Sequence, residues 1–165
     1  MKDNIVLIGM PGCGKSSLGV VLAKALGYRF MDSDLVIQEK EGRLLSEIIE
    51  QEGLTGFERI EEKINASIEA SRTVIATGGS VIYGPAAMKH LHDIGSVVYL
   101  KLPLKEIEGR LGDLSQRGVA VRPGQTLGSL YEERVPLYEK YADITVDVYG
   151  LDIRNSVLEV IQRLA

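Results

Sequence analysis

Gly9-Met10-Pro11-Gly12-Cys13-Gly14-Lys15-Ser16 matches the pattern G-x-x-x-x-G-K-[ST], and its flanks decide the fold. The apolar run Ile5-Val6-Leu7-Ile8 leads into it, and Lys15 to Leu26 follows with helical periodicity. A glycine-rich turn between a buried strand and a helix aims backbone N–H groups and a helix N-terminus at phosphate. Lys15 adds positive charge for the phosphates, and the Ser16 hydroxyl is placed to ligate Mg²⁺. The stretch therefore reads as a nucleoside triphosphate site, with Gly12, Cys13, Gly14, Lys15, Ser16 and Ser17 as its contacts. Cys13 occupies a variable position of the pattern and reads as an inert spacer.

Outward from this loop, short β-branched runs alternate with helical stretches. Val74–Ala76 and Val97–Leu100 read as further strands, with Tyr28–Met31 a weaker one. Continuous apolarity suits strands buried on both faces of a parallel sheet. Ile144, Val146 and Val148 alternate instead, as an edge strand does. The first helix is expected to bury Leu18, Val21, Leu22, Ala25 and Leu26 and to end at Gly27. A second helical region, from Asp34 to about Ala70, is broken at Gly42 and Gly53, with Phe57, Ile60, Ile64 and Ile68 as its last apolar stripe. A closing helix is expected to bury Ile153, Val157, Ile161 and Leu164. The alternation implies a three-layer α/β/α sandwich around a parallel sheet.

The chain has 165 residues, enough for a core without disulfides or structural metal, and reads as one domain. A net charge of −4 without a basic cluster argues against a nucleic-acid surface. No apolar stretch is long enough for a membrane helix. The single cysteine and the absence of a leader pattern before the first strand lead to the expectation of a soluble cytoplasmic protein. His90 and His92 lack partners at metal-ligand spacing and read as surface or capping residues. Tyr131, Tyr138 and Tyr141 read as packing.

Four further features carry chemistry. Asp32-Ser33-Asp34 follows the second strand, at the sheet edge where open α/β folds bind ligands. One carboxylate can serve Mg²⁺ while the other orients a hydroxyl and accepts its proton; alternatively, Asp34 simply caps the next helix. Thr77-Gly78-Gly79-Ser80 follows the third strand, where paired glycines let the backbone approach a ligand. The segment 112–126, with Gly112, Gly118, Pro123 and Gly124, reads as a mobile lid. Arg110, Arg117, Arg122 and Arg134 are the arginines that could offset phosphoryl charge.

Taken in order, GMPGCGKSS, FMDSD, GFERIEE, ATGG, the lid and ERVPLYEKYADITVD resemble the shikimate kinase family along essentially the whole chain. The resemblance implies a P-loop kinase fold with a five-stranded sheet of order 2-3-1-4-5. It also implies a helical acceptor-binding region at about 33–62, and action as a monomer that transfers the γ-phosphoryl group of ATP to a shikimate hydroxyl. On it, Lys15 contacts the phosphates, Ser16 and Asp32 serve Mg²⁺, and Asp34 binds the acceptor hydroxyls. Gly78 and Gly79 close the acceptor site, Arg134 grips its carboxylate, Arg110 packs on adenine, and Arg117 is the lid arginine.

Three positions depart from the family pattern. Its F-R-x-x-E motif here reads Phe57-Glu58-Arg59-Ile60-Glu61, so a carboxylate stands where an arginine helps to bind the acid. Arg59 points about 100° away on a helix and is no simple replacement. Two like charges about 4 Å apart repel by about 4 kcal/mol at an effective dielectric constant of about 20, nearly a thousandfold in binding. Either Glu58 turns away and Arg134 holds the carboxylate alone, or the acceptor carries an amine or extra hydroxyls. Ser80 replaces a third glycine. The lid reads Arg117-Gly118, with the Arg-Pro pair displaced to Arg122-Pro123, which makes Arg122 a second candidate for the acceptor. A nucleotide-binding module without transfer activity is the remaining alternative.

Overall fold

The computed structural model describes residues 2–111 and 121–165. Five strands run parallel in the order β2-β3-β1-β4-β5: β1 (Asn4–Ile8), β2 (Arg29–Asp32), β3 (Thr73–Ala76), β4 (Gly95–Lys101) and β5 (Ile144–Asp147). Central β1 pairs Val6 with Ile75 of β3 on one side and with Val97 of β4 on the other. Every residue of β1 and β3 is buried, which is why both read as unbroken apolar runs. At the β5 edge, buried Val146 precedes exposed Asp147. Val148 lies just beyond the strand and is buried too.

Seven α-helices lie among the described residues: α1 (Lys15–Leu26), α2 (Ser33–Glu41), α3 (Leu45–Ala66), α4 (Pro85–Ile94), α5 (Leu104–Arg110), α6 (Leu127–Tyr141) and α7 (Ile153–Leu164). They cover the sheet, with α1 packed on α7, and α4 packed on α3. Gly42 ends α2 and Gly53 interrupts α3, the two breaks expected from the sequence. A small second core of Ile37, Leu45, Ile48, Phe57 and Ile64 joins α2 to α3, apart from the main core over the sheet. Burial of such side chains stabilises by about 1.5–3 kcal/mol each, which holds α2 and α3 to each other. No helix among the described residues is long and apolar enough to cross a membrane.

Two helix faces differ from expectation. In α1, Val21 and Ala25 are exposed, and Gly19 and Ala23 face inward beside Leu18 and Leu22. The cause is Gly19, which lies so close to Phe30 that a Cβ there would be 2.7 Å from the ring, and this turns the helix toward positions 19 and 23. In α7, Ser156, Val157 and Val160 are buried, whereas Ile153 is 47% exposed and Leu164 and Ile161 are half-buried. Ile153 serves a cleft rather than the core. Residues 112–120, which include Arg117 and most of the expected lid, lie outside the described residues.

Candidate active site

The phosphate loop crosses from β1 into α1 as the motif requires. Lys15 is only 8% exposed, and its Nζ donates to the carbonyl oxygens of Gly9 at 2.6 Å and Met10 at 2.9 Å. The Thr77 hydroxyl donates to the Leu7 carbonyl at 2.8 Å, which ties the end of β3 to β1 and brings the Gly78-Gly79 turn beside the loop.

At the end of β2 the two carboxylates divide their contacts. Asp32, not Asp34, caps α2: its Oδ1 accepts from the backbone N–H of Asp34 at 3.0 Å and of Leu35 at 3.4 Å. Its Oδ2 accepts from the Ser16 hydroxyl at 2.9 Å. Two hard oxygens thus meet beside the loop, a donor set that suits Mg²⁺ completed by phosphate oxygens and water. No group of three or more His, Cys, Asp or Glu side chains that could hold a metal occurs among the described residues.

Asp34 is therefore spared the cap. Its Oδ1 is buried without a hydrogen-bond partner and faces a cavity of about 330 Å³. Burial, then the Asp32 charge, push its pKa up to about 6, against the pull of Lys15. The same cavity is lined by Gly12, Gly14, Lys15, Ser16 and Ser17 from the loop, by Gly78, Gly79 and Ser80 after β3, and by Glu61 and Arg134. Close backbone approach is needed here. A Cβ on Gly78 would lie 2.5 Å from Asp34 Oδ1 and 3.1 Å from Glu61 Oε2, and one on Gly79 would lie 2.8 Å from Arg134 Nη1.

Arg134, on α6, is 1% exposed and lies 5.4 Å from the centre of the Tyr83 ring. Tyr138, one turn along α6, is stacked on Tyr99 with ring centroids 5.1 Å apart. Its hydroxyl donates to the Gly79 carbonyl at 2.6 Å, so this packing tyrosine also fixes the glycine turn.

Glu61 is the ionisable lining residue to which the sequence reading gave no role. It is 2% exposed, accepts from the Ser80 hydroxyl at 2.7 Å, and leaves Oε2 without a partner. Burial is the main force that pushes its pKa up to about 8, with Asp34 and Glu58 adding to it and Ser80 and Arg134 opposing. A signal existed: Glu61 falls on the apolar stripe of α3, between Phe57 and Ile64, where a charge is out of place.

The remaining candidates lie elsewhere. Glu58 is half-buried and absent from the cavity lining, and Arg59 is exposed. Arg122 pairs with Glu133 at 3.2 Å and lies 5.9 Å from the centre of the Tyr83 ring, outside the cavity. Arg110 donates to the Gly12 carbonyl at 3.3 Å and lines a second cleft with Cys13, Gly14, Ser17, Leu151 and Ile153. His92 lies 3.4 Å from Asp143 at the surface, and His90 contacts the Ile68 carbonyl.

The family model for shikimate kinase matches residues 11–165. A shikimate kinase of Thiobacillus denitrificans is 38% identical over 152 residues, covering 88% of this chain and 81% of that protein. One from Thermodesulfovibrio yellowstonii is 37% identical over 168 residues, covering 98% and 96%. Among solved structures, shikimate kinase from Acinetobacter baumannii in complex with shikimate superposes with a TM-score of 0.84 at 29% identity, covering 99% of this chain and 93% of that one. Sequence, strand order and whole-chain superposition agree, and the chain belongs to the shikimate kinase family.

Proposed function

We propose that this chain transfers the γ-phosphoryl group of ATP to a hydroxyl of shikimate, acting as a monomer within one P-loop kinase domain. The observation that carries this reading is the single cavity shared by the phosphate loop, the unpaired Asp34 carboxylate oxygen and Arg134. Lys15 leaves the carbonyls of Gly9 and Met10 for the phosphates and offsets charge that builds on the transferring group. Ser16 and Asp32 would hold Mg²⁺, which would supply further neutralisation of phosphate charge. Asp34 orients the acceptor hydroxyl and takes its proton as the new O–P bond forms and the bond to ADP breaks. Gly78 and Gly79 close the acceptor side, and Arg134 takes the acid's carboxylate. Arg110 and the second cleft receive the base of ATP, and Arg117, in a lid at about 112–126, completes the charge clamp.

Glu58 would favour an acceptor with an amine or extra hydroxyls only by facing it. Glu58 does not line the cavity, so shikimate keeps its place. The test is ADP release with shikimate, in the parent chain and in Asp34→Asn. The parent should turn over shikimate well above background hydrolysis. The variant should lose about 10²–10⁴-fold in kcat with the KM for ATP unchanged. Shikimate turnover no faster than background would refute the proposal.

A further inference from the structure

Two departures from the family motif converge on Glu61. Ser80, in place of a third glycine, donates a hydrogen bond from its hydroxyl to Glu61 Oε1 at 2.7 Å. Glu58, in place of an arginine, stands one turn back on the same helix and adds negative charge. Oε2 is left buried, without a partner, against Gly78 on the cavity wall. An ionised oxygen in that position would lack any donor. A protonated one is itself a donor, on the wall of the cavity that Arg134 also lines.

The groups around Glu61 favour the proton. Asp34 faces it from α2 across Gly78, with Lys15 of α1 acting on Asp34 rather than on Glu61. Glu58 acts from α3 itself, and Arg134 from α6 pulls the other way on Glu61. Tyr83, from the turn after β3, lies against Arg134.

We infer that Glu61 is a specificity-determining residue, whose Oε2–H donates a hydrogen bond to the acceptor's carboxylate beside Arg134. It stands in for the arginine that this chain lacks at position 58. The inference rests on the acceptor proposed above. The acid then binds only enzyme that carries this proton, whereas ATP binds both forms.

The test is the KM for shikimate measured from about pH 6 to about pH 9.5 by ADP release. In the parent chain it should stay level and then climb about tenfold per pH unit beyond a break near 8, with no such break in the KM for ATP. Glu61→Gln keeps a neutral donor and should give a low, level KM across the range. Glu61→Ala should raise KM about 10–100-fold at the acid end and show no break. A level parent profile, or a break that persists in Glu61→Gln, would overturn the inference and leave the kinase reading intact. Failure to turn over shikimate at every pH would remove that reading and this inference together.

Discussion

Asp32 and Asp34 are one residue apart, yet one is satisfied by a helix cap and a hydroxyl while the other meets the cavity with a bare oxygen. The motif pointed to both, but which of them capped α2 depended on backbone direction at the end of β2, and spacing does not carry that. Glu61 was harder to see. Helices carry many glutamates on solvent faces, and only the burial of α3 against α2 and the glycine turn marks this one. Its position has a consequence for stability. The folded pKa of about 8 lies above the ordinary 4.5, so between these values the folded chain holds a proton that the unfolded chain has lost. Glu61 therefore favours the fold below about pH 4.5, and this contribution is lost as pH rises toward about 8. Urea unfolding at several pH values should show the parent losing stability over that window, and Glu61→Gln should flatten this part of the slope.

At the scale of elements, the strands were legible because parallel strands covered on both faces leave a dense apolar record, as in Ile5–Ile8 and Val74–Ala76. Helix faces were less so. The α1 stripe shifts because Gly19 lets the helix settle onto Phe30 and Leu7, a contact that an apolar count cannot register. A methyl group at Gly19 would meet the Phe30 ring at 2.7 Å and Leu7 Cδ1 at 3.3 Å. Gly19→Ala is accordingly expected to destabilise the fold by about 1–3 kcal/mol through overpacking, measured as a lower urea midpoint with an unchanged m-value. In α7 the misreading has a different origin. Ile153 is apolar because it lines the second cleft, and a cleft wall and a core wall use the same residue types.

Across the whole molecule, strand order and the place of Arg134 in the cavity beside Asp34, Gly78 and Gly79 were legible only through the family resemblance. Arg134 lies 100 residues from Asp34 in the chain, and nothing local distinguishes it from Arg122. The phosphate loop stands between two hollows, one lined by Asp34, Glu61 and Arg134 and the other by Arg110, Leu151 and Ile153. Their separation should appear in the kinetics: Arg110→Ala is expected to raise the KM for ATP about tenfold and leave the KM for shikimate unchanged, read from steady-state rates with each substrate varied in turn. Lys15 has a consequence of another kind. Its amine is folded back onto the Gly9 and Met10 carbonyls and almost wholly covered. Acylating reagents in the surrounding medium will consume the exposed lysines first, so the amine proposed to handle phosphate is chemically sheltered in this folded-back position.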